Sequence, residues 1–127
     1  MPGRLPAPVL IAYRDAPMRR IIGLNLEWED LPAVEIESTG ACRAWLSRRD
    51  AAAVLLDARL LDPLDEVVRV RAALRQAGVP VLVVADGPEY RPLARLLDDA
   101  PFWCRPDDVD GLIRALRPLL TGIPVPV

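Results

Sequence analysis

The sequence contains no histidine and no lysine, and all sixteen basic residues are arginines. The absence of histidine removes imidazole general-base catalysis and most zinc sites. Cys42 and Cys104 are the two cysteines, and because they lie far apart with no CxxC spacing we expect two free thiols. Glycine-rich phosphate loops of the standard spacings are also missing. These absences indicate a protein that is not an enzyme.

Long apolar runs are missing as well. No stretch approaches the roughly 20 residues that a membrane-spanning helix needs, and residues 1–8 lack the apolar segment of a signal peptide. The net charge of −2 provides no excess of positive charge for binding nucleic acid. We therefore expect a soluble, cytoplasmic protein that contacts neither membranes nor nucleic acid directly.

The chain does contain a regular alternation of short apolar runs and longer amphipathic segments. Its 127 residues are 52% apolar and 27% charged, as in one globular domain. The short runs predict strands at 9–12, 33–37, 52–56, 79–84 and 102–104. The amphipathic segments that follow them predict five helices, at about 15–28, 38–49, 62–77, 91–99 and 107–120.

This alternation predicts an α/β fold with a parallel sheet and helices on both faces. Because crossover connections are right-handed, few topologies remain, and the flavodoxin-like strand order 2-1-3-4-5 is the leading one. We expect one domain over residues 1–120. Residues 121–127 contain two prolines and no periodicity, so they are predicted to be a tail or the start of a linker.

In such a sheet, functional groups collect at the carboxyl ends of the strands. Arg14 and Asp15 follow the first predicted strand, Ala85 follows the fourth, and Arg105 follows the fifth. Asp57 closes the third strand, which is otherwise wholly apolar. A carboxylate at a buried strand end costs free energy unless it is paired or used, so Asp57 is the leading candidate for a functional residue.

The stretches AVLLD at 53–57, VPVLVV at 79–84 and FWCRP at 102–106 resemble response-regulator receiver domains, and the resemblance spans residues 9–120. In that family the aspartate ending the third strand accepts a phosphoryl group from a histidine kinase, and Asp57 matches it. The resemblance also implies that Phe102 is the switch aromatic. It further implies a cis peptide bond before Pro106, at the position of the family's Lys-Pro pair.

The chain departs from the family pattern around this position. Tyr13 and Arg14 stand where two acids usually hold magnesium, and Asp15 lies one step further along. Ala85 replaces the usual hydroxyl residue, and Arg105 replaces the lysine. Magnesium prefers carboxylate oxygens in octahedral geometry and neutralises charge during phosphoryl transfer. We therefore expect an atypical receiver-like domain without a metal or other cofactor.

Asp57 remains although its expected metal partners are gone. We hypothesise that Arg14 or Arg105 forms an internal ion pair with Asp57 and so replaces magnesium and phosphate by a fixed charge. The alternative is that Asp57 only caps the following loop or helix through backbone amides.

Three functions follow from these residues. The leading one is a signalling module that binds a protein partner, with phosphorylation lost or weakened, and that regulates transcription through a DNA-binding domain outside this chain. The second is a receiver phosphorylated on Asp57, with Asp15 or Asp86 supplying the missing magnesium ligand. The third is a flavodoxin-like domain that binds a small molecule at the strand ends, where Tyr13 and Ala85 leave room for it.

The sequence also suggests a homodimer through the fourth helix, fifth strand and fifth helix. Receiver domains often pair there, and the two helices carry more apolar residues than one buried side needs. These residues are Leu93, Leu96, Leu97, Leu112, Ile113, Leu116 and Leu119.

Overall fold

A computed structural model describes residues 7–121, and within them the predicted alternation of strands and helices is confirmed. The strands are β1 (Val9–Ala12), β2 (Ala33–Ile36), β3 (Ala53–Asp57), β4 (Val81–Val84) and β5 (Phe102–Trp103). The helices are α1 (Ala16–Trp28), α2 (Thr39–Arg48), α3 (Leu64–Ala77), α4 (Arg91–Leu96) and α5 (Val109–Thr121). Short 3₁₀ turns, Ala58–Leu60 and Pro88–Tyr90, follow β3 and precede α4. Most of the predicted tail lies outside the described residues.

All five strands run parallel in the order 2-1-3-4-5, which confirms the predicted topology. Every residue of β1, β3 and β4 is buried, because both faces of these central strands are covered. Ile11 and Leu55 belong to the core shared with α1 and α5. Leu10 and Leu56 belong to the core shared with α2, α3 and α4.

Polar side chains and one glycine set the helix ends. Asp15 caps α1 by accepting a hydrogen bond of 3.1 Å from the Met18 amide, and Ser38 caps α2 by accepting one of 3.1 Å from the Ala41 amide. Helix α3 ends at Gly78, whose φ of 67° is left-handed and therefore favours glycine.

Helix α4 is shorter than predicted, since it ends at Leu96 rather than near residue 99. Asp98 and Asp99 have positive φ angles of 59° and 53°, which stop the helix. A bidentate ion pair with Arg75 of α3 holds Asp98 in this turn. The apolar periodicity of the sequence continues past the turn and so gave no signal of it.

The prediction of a cis peptide bond before Pro106 is wrong. Within the described residues the cis bond precedes Pro63, in the loop that leads to α3. The Arg105 carbonyl accepts hydrogen bonds from the Trp103 indole (2.8 Å) and the Asp108 amide (3.0 Å). These contacts hold the loop before α5.

The surface expected to form the dimer is less apolar than its sequence suggested. Four of the seven cited residues are buried in the chain's own core: Leu97, Leu112, Ile113 and Leu116. Leu96 is exposed, while Leu93 and Leu119 are half-buried. The apolar excess that motivated this dimer is therefore mostly absent, and the dimer itself stays a prediction. Within the described part of the chain, no helix is long and apolar enough to cross a membrane.

Candidate functional site

The candidate site lies at the carboxyl ends of β1, β3 and β4. Asp57 is the last residue of β3 and is 1% exposed, with Val84 opposite it on β4. Tyr13 and Arg14 follow β1 directly, and parallel pairing brings this segment next to Asp57. The predicted phosphoacceptor position is therefore occupied by a buried carboxylate at the switch point of the sheet.

Backbone amides bind both oxygens of the Asp57 carboxylate. The amide of Arg14 donates to Oδ2 at 2.9 Å, and the amide of Arg59 donates to Oδ1 at 3.0 Å. The second bond closes a tight turn between residues 57 and 59 and caps the 3₁₀ turn. The capping alternative considered from the sequence is thus present in the structure.

The guanidinium of Arg59 adds an ion pair to the same carboxylate. Its Nη2 lies 3.2 Å from Asp57 Oδ2, and its Nε donates to Oδ1 at 3.3 Å. The guanidinium also lies over the ring of Tyr13, 5.7 Å from the ring centroid. The hydrogen bond to Asp57, assisted by its charge, raises the pKa of Arg59 above its ordinary value. Asp57 is therefore neutralised and fully hydrogen-bonded by its own chain.

The hypothesis that Arg14 or Arg105 neutralises Asp57 is wrong in the identity of the arginine. Arg14 contributes its backbone amide while its side chain is exposed, and Arg105 is exposed at the end of β5. Sequence reasoning missed Arg59 because the β strand and helix were assigned without the intervening turn. The available signal was Asp57 itself, because an aspartate side chain often accepts a hydrogen bond from the backbone amide two residues further on, which here belongs to Arg59.

Tyr13 and Ala85 fill the space that was expected to admit a small ligand. Tyr13 is 4% exposed and Ala85 is 1% exposed, so neither leaves an opening at the strand ends. Burial raises the pKa of the Tyr13 phenol, and the negative charge of Asp57 raises it further. The carbonyl of Tyr13 accepts a hydrogen bond of 2.9 Å from Arg19, which fixes the end of β1.

The residues at the site do not fit magnesium. Hydrogen bonds from the chain itself occupy both oxygens of Asp57, and Asp15 uses its carboxylate to cap α1. Asp86 is exposed after β4. No cluster of three or more acidic, cysteine or histidine residues suited to a metal occurs between residues 7 and 121. The donor set therefore falls short of what an octahedral hard cation requires.

On the β4–β5 side of the site, Ala85 provides no side-chain hydroxyl, and Phe102 contacts an arginine. The amide of Ala85 donates to the Trp103 carbonyl at 3.0 Å, and its methyl side chain provides no donor. Phe102, the predicted switch aromatic, is half-buried, and the guanidinium of Arg91 lies 4.9 Å from its ring centroid. This cation–π contact links β5 to the start of α4.

An open groove of about 430 Å³ lies beside the Asp57–Arg59 pair. Arg14 and Arg59 line one part of it, and Tyr90, Leu64 and Leu93 line another. The groove faces solvent, and Asp57 is not among the residues that line it, whereas its partner Arg59 is.

Solved structures with a similar fold include receiver domains of response regulators. The CheY-like response regulator receiver domain from Methanospirillum hungatei is 16% identical, with a TM-score of 0.77, over 91% of this chain and 94% of that chain. Chemotaxis protein CheY4 from Vibrio cholerae is 15% identical, with a TM-score of 0.75, over 91% and 100%. A sensor protein from Polaromonas is 24% identical, with a TM-score of 0.75, over 91% and 98%.

No protein-family model matches the sequence, and no curated protein matches it either. The likeness therefore lies in the fold, which is that of CheY-like receiver domains with five parallel strands and helices on both faces. Asp57 occupies the carboxyl end of the third strand in this fold, and its surroundings are those described above.

Proposed function

We propose that this chain is a pseudo-receiver: a receiver-like signalling module that binds a protein partner in a fixed conformation and is not switched by phosphorylation. The observation that carries the proposal is the Asp57–Arg59 pair. An internal guanidinium supplies the positive charge that magnesium would supply, and two backbone amides complete the hydrogen bonds of the carboxylate.

Phosphorylation at Asp57 would require several costly changes. The carboxylate is 1% exposed, and its nucleophilic oxygens would have to leave Arg59 and the two amides before attack. A buried carboxylate that loses its partner carries an uncompensated charge, which costs several kcal/mol, about 3–5 in fully buried pairs. No carboxylate pair stands ready to bind magnesium, and Ala85 cannot donate a hydrogen bond from its side chain to a phosphoryl oxygen.

A protein partner is the binding class that we propose, because solved structures with this fold include response regulator receiver domains, which are signalling modules. Regulation of transcription, the output expected from the resemblance, would be exerted through a partner or a further domain. The other two functions receive less support from the site. The carboxylates of Asp57 and Asp15 are engaged in hydrogen bonds, which disfavours magnesium-dependent phosphorylation, and Tyr13 and Ala85 fill the space for a small ligand.

Incubation with acetyl phosphate and magnesium tests this proposal. We expect the intact mass of the protein to remain unchanged, because Asp57 cannot reach the phosphoryl donor. Asp57→Asn serves as the negative control, and a phosphorylatable receiver domain under the same conditions serves as the positive control. A gain of one phosphoryl group in the wild type that is absent from Asp57→Asn would overturn the proposal.

A further inference from the structure

Exposed apolar side chains are concentrated on helix α1. Three of the six large apolar residues that are well exposed between residues 7 and 121 lie there: Ile21 and Leu24, each 46% exposed, and Trp28, 89% exposed. Their spacing places them on one face, opposite the face that buries Ile22 and Leu26. This set, the α1 stripe (Ile21, Leu24 and Trp28), covers about 10 Å of helix on the solvent side.

Trp28 is the most unusual member of the α1 stripe. The indoles of Trp45 and Trp103 donate to carbonyl oxygens at 3.1 Å and 2.8 Å, and both side chains are half-buried. Trp28 has neither burial nor an indole hydrogen bond within the part of the chain that the structure describes. Exposed tryptophans in a contiguous apolar patch are typical of protein–protein contact surfaces, where they become anchors.

Two opposite charges flank the α1 stripe on the same side. Arg20 and Glu27 lie seven residues apart, two turns along the same flank of the helix. Arg20 contacts Glu35 of β2 at 3.1 Å, yet its side chain remains 57% exposed. Glu27 is exposed and has no ion pair among residues 7–121. The flank therefore carries an exposed guanidinium, shared with Glu35, towards the start of α1 and, within the described residues, an unpaired carboxylate towards its end.

This charge order is complementary to itself in one arrangement. A two-fold axis perpendicular to two facing helices reverses their direction and brings the same flank of each together. Arg20 of one copy then faces Glu27 of the other, at both ends of the contact. Parallel pairing would instead place this flank against Met18 and Asn25, which carry no charge. The pattern thus favours antiparallel pairing of two copies.

We infer that the α1 stripe is a contact surface for a second copy of this chain, with two α1 helices packed antiparallel about a two-fold axis. Leu24 lies near the axis, and Trp28 packs against Ile21 and the stem of Arg20 from the other copy. This surface differs from the fourth-helix and fifth-helix face expected from the sequence. The inference goes beyond the proposed function and holds whether or not Asp57 is phosphorylated.

Sedimentation equilibrium of the 127-residue chain over a range of concentrations tests the inference. We expect a monomer–dimer equilibrium whose dissociation constant rises about tenfold or more in Trp28→Ala. Leu96→Ala is the matched control, because Leu96 is an exposed apolar residue on α4, and we expect its dissociation constant to stay within about twofold of wild type. These side chains are exposed, and circular dichroism should confirm that each variant is folded.

Charge reversal separates antiparallel pairing from other contacts. Arg20→Glu and Glu27→Arg should each weaken the homodimer, because each places like charges opposite one another twice. Mixing the two variants should restore association to within about threefold of wild type, because opposite charges then meet at both ends. Recovery on mixing is a result that a local loss of structure does not produce.

Three results would overturn the inference. A wild-type chain that remains monomeric at high micromolar concentration would exclude the second copy as the occupant of the stripe. A dimer weakened by Leu96→Ala and unaffected by Trp28→Ala would place the contact on α4. A dimer that Trp28→Ala weakens but that shows no recovery when the two charge variants are mixed would contradict the antiparallel arrangement.

Discussion

The Asp57 carboxylate is paired with a cation of its own chain, the guanidinium of Arg59. A magnesium ion can leave and a phosphoryl group can be removed, whereas an arginine two residues away is always present and always charged. The turn that places Arg59 over Asp57 also provides one of the two backbone hydrogen bonds to the carboxylate. At this scale, the charge of Asp57 has its partner within the chain.

A double-mutant cycle measures this pair. Arg59→Ala should lower the free energy of unfolding by about 1–3 kcal/mol, less than for a fully buried pair because the Arg59 side chain is 31% exposed. Asp57→Asn should also destabilise the fold, and the double variant should lose about 1–3 kcal/mol less than the sum. Urea unfolding of the four proteins gives the coupling free energy.

Arg14→Ala is the matched control for this cycle. It keeps the backbone amide that binds Asp57 and removes only an exposed guanidinium, so its free energy of unfolding should stay within about 0.5 kcal/mol of wild type. A larger loss in Arg14→Ala than in Arg59→Ala would show that the arginine predicted from the sequence is the true partner.

Tyr13 gives the site a dependence on alkaline pH. Its pKa in the folded state is raised from 10.0 by burial and by Asp57, so the folded protein holds the phenolic proton to higher pH than the unfolded chain. The resulting stabilisation is complete below the unfolded pKa and is lost as pH rises through the folded pKa. Urea unfolding from about pH 8 to about pH 11 should show a steeper loss for wild type than for Tyr13→Phe. Equal losses would indicate that Tyr13 ionises as in water.

The position of Asp57 at a buried strand end could be predicted, whereas its partner could not. A single acid ending an apolar strand is conspicuous because burying it without compensation is costly. Several arginines were candidates for that compensation, and sequence spacing alone does not say which guanidinium turns back onto the carboxylate. The choice depends on a three-residue 3₁₀ turn, Ala58–Leu60, which has too few residues to show a periodicity.

At the scale of the elements, the carboxylate of Asp15 stabilises the start of helix α1. Asp15 caps α1 and is thereby removed from the set of metal ligands. The ends of α1 and α3 agree with the helices predicted at about 15–28 and 62–77, because aspartate and glycine have strong positional preferences at such ends. The early end of α4 could not be predicted, since it depends on an ion pair between Asp98 and Arg75 of a different helix.

Substitutions at Asp15 separate a cap from a metal ligand. Asp15→Ala should lower the free energy of unfolding by about 1 kcal/mol, as should Ser38→Ala at the cap of α2. Asp15→Asn keeps a capping oxygen and should remain close to wild type. Thermal unfolding with and without magnesium gives both comparisons. If magnesium stabilised the wild type but not Asp15→Asn, Asp15 would be a ligand and the second function would gain support.

For the whole molecule, the sheet order and the two-sided burial followed from the alternation of apolar runs. Apolar runs such as 52–56 and 79–84 have no polar face, which is possible only where helices cover both sides of a parallel sheet. Surface properties were harder to predict. Leu112 and Leu116 turned out to fill the core, while Trp28 turned out to be exposed, because helical periodicity does not state which face meets the sheet.

At this scale the molecule has the fold of CheY-like receiver domains, and we propose that it lacks their phosphorylation switch. The sheet positions Asp57 where receiver domains are phosphorylated, and the neighbouring residues neutralise it, cap a helix or fill space. We therefore propose that the domain binds its partner in one conformation, which is formed before binding.

Titration of the folded chain with magnesium and beryllofluoride, followed by amide NMR, tests this claim most directly. We predict that the amide signals of Asp57, Ala85 and Phe102 stay unchanged in wild type and in Asp57→Asn alike, because Arg59 already occupies the carboxylate. Saturable shifts at these three amides in wild type, absent from Asp57→Asn, would show that the phosphorylation switch survives and would contradict the account.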